Sequence, residues 1–294
     1  MIQTGEAPLR RVILLAAVLV ASLCSAAGAD EKYLIHEKVH EGDKLLVEMT
    51  NNGHFKTIST ASGQSITNEQ HVKQFLKATM TILTVKDGSA TAARVEVDPS
   101  SYDIDKEGEQ PEEKTSCWYA GKTVTLRRAP DEKVSNDAKG HLPESREIDQ
   151  QNLNDLLSPD QDMFSDQPVA VGDSWEVSDK LSKHSDLNDG DKLLAHCKLD
   201  WVKTINGKQM AELTCVCGLI RYEEHNVEED DEYTSVMLVD VAAGQIVKAD
   251  NQGTVKFSTP LDEATQVTGD GEFSGHCEVL PPTSGPRPAT QPQP

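Results

Sequence analysis

The chain has 294 residues and a formal net charge of −21, from 28 Lys+Arg against 49 Asp+Glu. A field this negative repels phosphate backbones and argues against nucleic-acid binding, and an aromatic share of 4% leaves few platforms for stacked bases. At 37% hydrophobic the chain is no multi-span membrane protein, and its length suits one large domain or two small ones.

Residues 1–29 read as a secretory signal peptide. Arg10 and Arg11 form the positive region, Val12 to Leu23 the apolar region, and Ala27-Gly28-Ala29 a small-x-small cleavage site before charged Asp30. The expected address is export, periplasmic or extracellular, with no transmembrane segment after cleavage. Cys24 leaves with the signal. Cys117, Cys197, Cys215, Cys217 and Cys277 remain, in a compartment that permits disulfides. Their number is odd, so at least one thiol stays unpaired within the monomer.

The remainder divides into an N-terminal β module (30–130), a polar linker with a short helix (131–167), a C-terminal β module (168–280) and a disordered Pro-rich tail (281–294). Runs such as Lys44–Met49, Thr81–Val85 and Tyr233–Val239 are rich in branched residues and separated by turn pairs. Two stretches suggest helices, Asn68–Lys77 and Asp149–Leu157, the second with Leu153, Leu156 and Leu157 at helical spacing. The expected fold is mainly β: antiparallel meanders forming two curved sheets or half-barrels, with one or two short helices.

Gly42-Asp43-Lys44-Leu45-Leu46 recurs as Gly190-Asp191-Lys192-Leu193-Leu194, which suggests an internal repeat. Each copy precedes a hairpin, with turns at Val85–Ser89 and Thr204–Lys208. Asn51-Asn52-Gly53 reads as a further turn in the first half. In the second hairpin Leu193, Ala195, Cys197, Leu199 and Trp201 are apolar while His196, Lys198 and Asp200 are polar, and Ala211, Leu213, Cys215, Cys217 and Leu219 are apolar while Glu212 and Thr214 are polar. A two-residue Asn206-Gly207 turn would pair 205 with 208 and put one strand inside out. A three-residue loop with Gly207 left-handed pairs 204 with 208 and keeps both apolar sets inward. The first hairpin then needs Gly88 in the same part to match Leu83 and Val85 with Val95 and Val97. The register sets Cys197 opposite Cys215, a candidate disulfide. The competing reading is a set of small buried thiols acting as core residues.

His36-Glu37-Lys38-Val39-His40 matches the H-E-x-x-H pattern of zinc proteases, in which a helix brings both imidazoles to one metal. Gly42-Asp43 ends any helix early, and on a strand the two His would lie about 13 Å apart. The protease reading is therefore disfavoured, and no catalytic or metal-ligating residue and no cofactor is assigned. His54, His71, His141, His184, His196, His225 and His276 show no metal-ligand spacing. Acidic runs at Glu228–Glu232 and Asp103–Glu113 read as solvated hairpin loops, with weak calcium binding as the sharper alternative.

Pro168 to Val177, with Gly172, Asp173, Ser174 and Trp175 at its centre, is the most distinctive run. Together with Tyr33-Leu34, Glu41-Gly42-Asp43 and Asp240–Val247 it resembles an uncharacterised family of secreted bacterial β-rich proteins. That resemblance implies export and a β scaffold, and brings no catalytic residues. Gly172-Asp173 reads as a structural turn and Trp175 as the first core residue of the next strand.

The functional expectation is a non-enzymatic exported envelope protein that binds an apolar ligand. The alternative is a structural or protein-interaction component using its acidic loops and tail against an envelope protein.

Overall fold

The computed structural model describes residues 31–61, 64–107, 113–129, 133–138, 153, 156–157, 160–182, 187, 191–222, 228–262 and 265–280. The expected signal segment and Pro-rich tail and most of the expected helix at 149–157 lie outside them.

Fifteen strands follow in order: β1 (Lys32–Tyr33), β2 (Lys44–Ala61), β3 (Gln64–Lys86), β4 (Ser89–Val97), β5 (Tyr102–Glu107), β6 (Glu113–Ser116), β7 (Thr123–Arg128), β8 (Val134–Asn136), β9 (Val169–Ala170), β10 (Ser174–Glu176), β11 (Lys192–Ile205), β12 (Lys208–Tyr222), β13 (Glu228–Asp240), β14 (Gln245–Asp262) and β15 (Thr265–Leu280). One turn of helix, α1 (Ser178–Leu181), and a 3-10 turn at Asp160–Met163 complete the described elements. The expected antiparallel β architecture is present. Its two meanders are hydrogen-bonded into one open sheet of 13 strands, ordered β10-β11-β12-β13-β14-β15-β2-β3-β4-β7-β8, with β5 and β6 branching from β3. The seam is β15 against β2, paired without interruption from Thr265↔Ala61 to Leu280↔Leu46.

Successive side chains of a strand point to opposite faces, so the register shows which residues share a face. One rung crosses seven strands: Leu76, Met49, Cys277, Ala249, Met237, Leu213 and Leu199 are successive cross-strand partners. This apolar rung links two cores on the same face. The first gathers Ala78, Met80, Ile82, Val95, Tyr119, Val124, Leu126, Leu153 and Leu157. The second gathers Ile35, Phe164, Val169, Val177, Ala195, Cys197, Leu213, Cys215 and Val239. Chain order is not respected. β1 pairs with β9, and Ile35 belongs to the second core although it precedes β2.

Both hairpin turns differ from the expected three-residue loops. Lys86 pairs with Ser89 and Ile205 with Lys208, so each is a two-residue turn. Asp87 and Gly88 have φ of 53° and 90°, and Asn206 and Gly207 of 51° and 81°. Positive φ at both central positions matches the twist of the flanking strands. The inversion this should cause is cancelled by a β-bulge between Leu199 and Trp201, where Asp200 is the extra residue. Asp200 turns outward and accepts hydrogen bonds from Lys198 Nζ (2.6 Å) and Thr214 Oγ1 (2.6 Å). Below the bulge Leu199 meets Leu213 and Cys197 meets Cys215. In the first hairpin similar shifts between Ile82 and Val85 turn Met80 and Ile82 inward, rather than Leu83, against Val95 and Ala93.

Three further expectations are corrected. Asn68–Lys77 is no helix but the centre of β3, because β2 and β5 satisfy its backbone on both sides. Asn51-Asn52-Gly53 is no turn but the middle of β2, clamped between β15 and β3. The acidic loops are strands. Glu228–Glu232 opens β13 between β12 and β14, with Asp230 opposite Lys256, and Asp103–Glu107 forms most of β5.

Candidate functional site

Residues 34–40, the H-E-x-x-H segment, form an extended strap without regular secondary structure. Its backbone is held by other parts of the chain: Lys38 N–H donates to Ala243 O (2.9 Å) and Val39 N–H to Gly88 O (3.1 Å). Those bonds replace the i→i−4 bonds of a helix, so the geometry the protease pattern requires is not formed. His36 and His40 are both exposed. The strap runs against the β3–β4 turn at Gly88 and the β13–β14 turn at Gly244. A Cβ at Gly88 would lie 2.7 Å from Glu37 O, and one at Gly244 would lie 1.6 Å from His36 O. Asp240 holds the second turn in shape. Its Oδ1 accepts from Ala242 N–H (3.1 Å) and Ala243 N–H (3.2 Å), and its Oδ2 from Lys208 Nζ (2.7 Å).

The strap closes one side of a cavity of about 180 Å³ over the centre of the apolar rung. Leu45, Val47 and Met49 of β2, Met80 and Ile82 of β3, Ile246 and Ala249 of β14, and Cys277 and Val279 of β15 line it. Leu156 and Leu157 cap it from the otherwise polar connection. The lining spans both meanders because the β15–β2 seam lies beneath it. Two charged residues, Glu37 and Arg128, interrupt this apolar wall. Burial pushes the Glu37 carboxyl above its ordinary range, and Asp162 adds to the push, against the pull of the Ser89 hydroxyl and the Arg128 guanidinium. Its Oε2 is buried and makes no hydrogen bond. Arg128 is oriented by donating from Nη2 to the Leu157 carbonyl. The site thus combines a mostly apolar space with a carboxyl and a guanidinium in its wall.

Cys197 and Cys215 are joined by a disulfide, with Cα atoms 4.0 Å apart, buried in the second core. Cys217 keeps a thiol that burial pushes upward in pKa, beside the Tyr233 hydroxyl across the β12–β13 pair. That environment makes it an inert core group. Gly172 and Asp173 form the turn before β10. Ala170 N–H donates to Asp173 Oδ2 (2.9 Å), while Gly172 N–H reaches Leu199 O (2.7 Å). Gly42-Asp43 makes the same bonds before β2: His40 N–H to Asp43 Oδ2 (2.8 Å) and Gly42 N–H to Ile82 O (2.9 Å). The geometric counterpart of Gly42-Asp43 among the described residues is therefore Gly172-Asp173; Gly190 lies outside them. Trp175 packs against the second core and donates from Nε1 to Met163 O (3.1 Å).

One grouping escaped the sequence reading. β2 and β3 pair so that His54 stands opposite His71 and Lys56 opposite Glu69. The two imidazoles stack with centroids 4.1 Å apart and planes inclined by 8°. His54, Glu69 and His71 bring ligand atoms within 4.8 Å of one another. Separations of 17 and 2 residues match no metal motif, and only the hairpin register could have exposed the cluster.

No protein-family model matches the chain, and no curated protein matches it. Among solved structures it is similar to lipovitellin, from a study of lipid–protein interactions in that protein. The identity is 10%, 84% of this chain and 26% of that one are covered, and the TM-score is 0.47. It therefore spans about a quarter of lipovitellin's length. It is also similar to OccK7 of Pseudomonas aeruginosa (7% identity, 81% and 99% covered, TM-score 0.25). A third match is a putative outer membrane lipoprotein-sorting protein domain from Vibrio parahaemolyticus (9%, 80% and 87%, TM-score 0.12). These likenesses concern the strand-rich fold alone. No helix among the described residues is long and apolar enough to cross a membrane.

Proposed function

We propose that this is a non-enzymatic exported envelope protein that holds an apolar ligand in the cavity under the 34–40 strap. The observation that carries the reading is the cavity itself, lined by Leu45, Val47, Met49, Ile82, Ile246 and Val279, with Glu37 and Arg128 as its two charged lining residues. Burying charged groups is costly, and a ligand group that hydrogen-bonds Glu37 or Arg128 offsets part of that cost. The ligand therefore has an apolar body and a hydrogen-bonding end. Size narrows it further. The cavity holds about 180 Å³. A dry cavity of about 150 Å³ accommodates benzene, whereas drug-sized ligands occupy roughly 300–1,000 Å³. A single short alkyl or aryl group fits, and a whole phospholipid does not unless the strap lifts.

The test is native mass spectrometry of protein purified from its own compartment, compared with Ala249→Phe, which fills the space. A co-purifying apolar molecule lost in the variant supports the reading. Absence of any such molecule, together with no binding of a short-chain alcohol or alkylphenol probe, defeats it.

A further inference from the structure

We propose that the β2–β3 hairpin carries a divalent transition-metal site made of His54, His71 and Glu69. The site lies on the sheet face opposite the cavity. His54 alternates with Gly53 and Phe55, which share the apolar rung's face with Met49, so its side chain projects the other way. Along the rung, Glu272 of β15, His54 of β2 and His71 of β3 are successive partners; Glu69 is one pleat further along β3 on the same face.

Three features favour a metal over a solvated surface. First, the donors are already gathered: three ligand atoms lie within 4.8 Å of one another, and a rotation of the stacked rings about their side-chain bonds turns both nitrogens toward one ion. The β2–β3 ladder is continuous on both sides of the pair, from Lys44↔Thr81 to Ala61↔Gln64, so the backbone is fixed and only side-chain rotation is left for the ion to impose. Second, the donors are uncommitted. No hydrogen bond or ion pair to another described residue engages these three side chains, and all are exposed. Third, the field suits a cation. Glu272 flanks His54, and Glu232 lies on the same rung through Thr254. Two imidazole nitrogens and one carboxylate oxygen form a donor set that Zn²⁺ accepts readily.

Three protein ligands leave at least one coordination position open. His54 and His71 border a trough of about 730 Å³ shared by β13, β14, β15, β2 and β3, so the open position faces space for a water or a small carbonyl ligand. This inference is independent of the cavity reading, which concerns the other face.

Zn²⁺ alone is the probe, titrated into the metal-free full chain against a chromogenic chelator. One ion per chain is expected. His54→Ala and His71→Ala should each weaken binding at least about tenfold, and Glu69→Gln by a smaller factor, since each removes one of three donors. His40→Ala and His276→Ala, which alter exposed imidazoles elsewhere, should change nothing. Circular dichroism confirms the fold of each variant, and Zn²⁺ should shift only the two imidazole C–H resonances of His54 and His71 in NMR spectra. Zinc uptake unaltered in the His54→Ala/His71→Ala double variant overturns the proposal. So does failure of the folded parent to take up zinc.

Discussion

Gly244 lies so close to His36 that a Cβ on the glycine would stand 1.6 Å from the His36 carbonyl oxygen. The backbone of the β13–β14 turn is thus packed against the strap that walls the cavity, and Lys38 N–H to Ala243 O closes the contact. Gly244→Ala must push the strap away, in addition to placing a side chain at φ 60°. Gly207→Ala is the control: its φ is 81°, and nothing lies within 4 Å of the added atom. The control should lose about 1–2 kcal/mol from the left-handed backbone alone. Gly244→Ala should lose distinctly more, roughly 3–4 kcal/mol, as overpacking adds to backbone strain. Urea unfolding of the two variants measures the difference, and equal losses would mean the strap yields freely.

The Cys197–Cys215 bridge closes a loop of 18 residues. Removing the closure should cost about 3 kcal/mol through the unfolded chain. Cys197→Ala/Cys215→Ala should therefore lower the urea midpoint substantially, and reductant should do the same to the parent. A double variant as stable as the parent would show that the hairpin gains nothing from the bond.

Asp231 supplies a pH dependence. Burial, helped by Glu229 and Asp230 and opposed by Arg221, pushes its carboxyl up to about 6. The folded chain thus holds this proton more tightly than the unfolded chain, whose carboxyl has an ordinary value near ~3.9. The stability it contributes is complete below the unfolded value and is lost as pH rises through about 6. Asp231→Asn should therefore stabilise the protein above that window, by about 1 kcal/mol once solvent screening of a half-exposed group is allowed for. The gain should vanish near ~pH 3.5, where both forms are neutral. Thermal melts across pH read this directly, and a variant gain independent of pH would contradict it.

The paired turns make a matched prediction. Asp43 and Asp173 each accept one backbone N–H, at 2.8 Å and 2.9 Å, in the same four-residue arrangement. Asp43→Ala and Asp173→Ala should each cost about 1 kcal/mol, the net worth of one such bond. Clearly unequal losses would mean that the shared geometry hides different environments.

Alternation of apolar and polar residues made the antiparallel strands legible, since period 2 reads out a half-buried sheet face. The opposition of Cys197 and Cys215 was legible for the same reason, although the turn and bulge that create it were not. A bulge is one extra residue, and nothing in Leu199-Asp200-Trp201 marks Asp200 as the residue to be squeezed out. Asn68–Lys77 and Asn51–Gly53 misled because their polarity resembles helix and turn; residues 68–73 and 51–53 are exposed or half-buried, and only Gln74 and Leu76 at the far end reach the core.

Composition and local pattern by themselves determined a β-rich chain, an acidic charge, a distinctive Gly172-Asp173 turn and the unsuitability of His36–His40 as a metal helix. Only the tertiary structure decided that the two meanders form one sheet, that the strap brings Glu37 and Arg128 to one cavity, and that His54, Glu69 and His71 meet. The physical reason is that register and seam pairing are long-range. Hydrogen bonds between β15 and β2 join residues more than 200 positions apart, and no local preference in either strand encodes its partner.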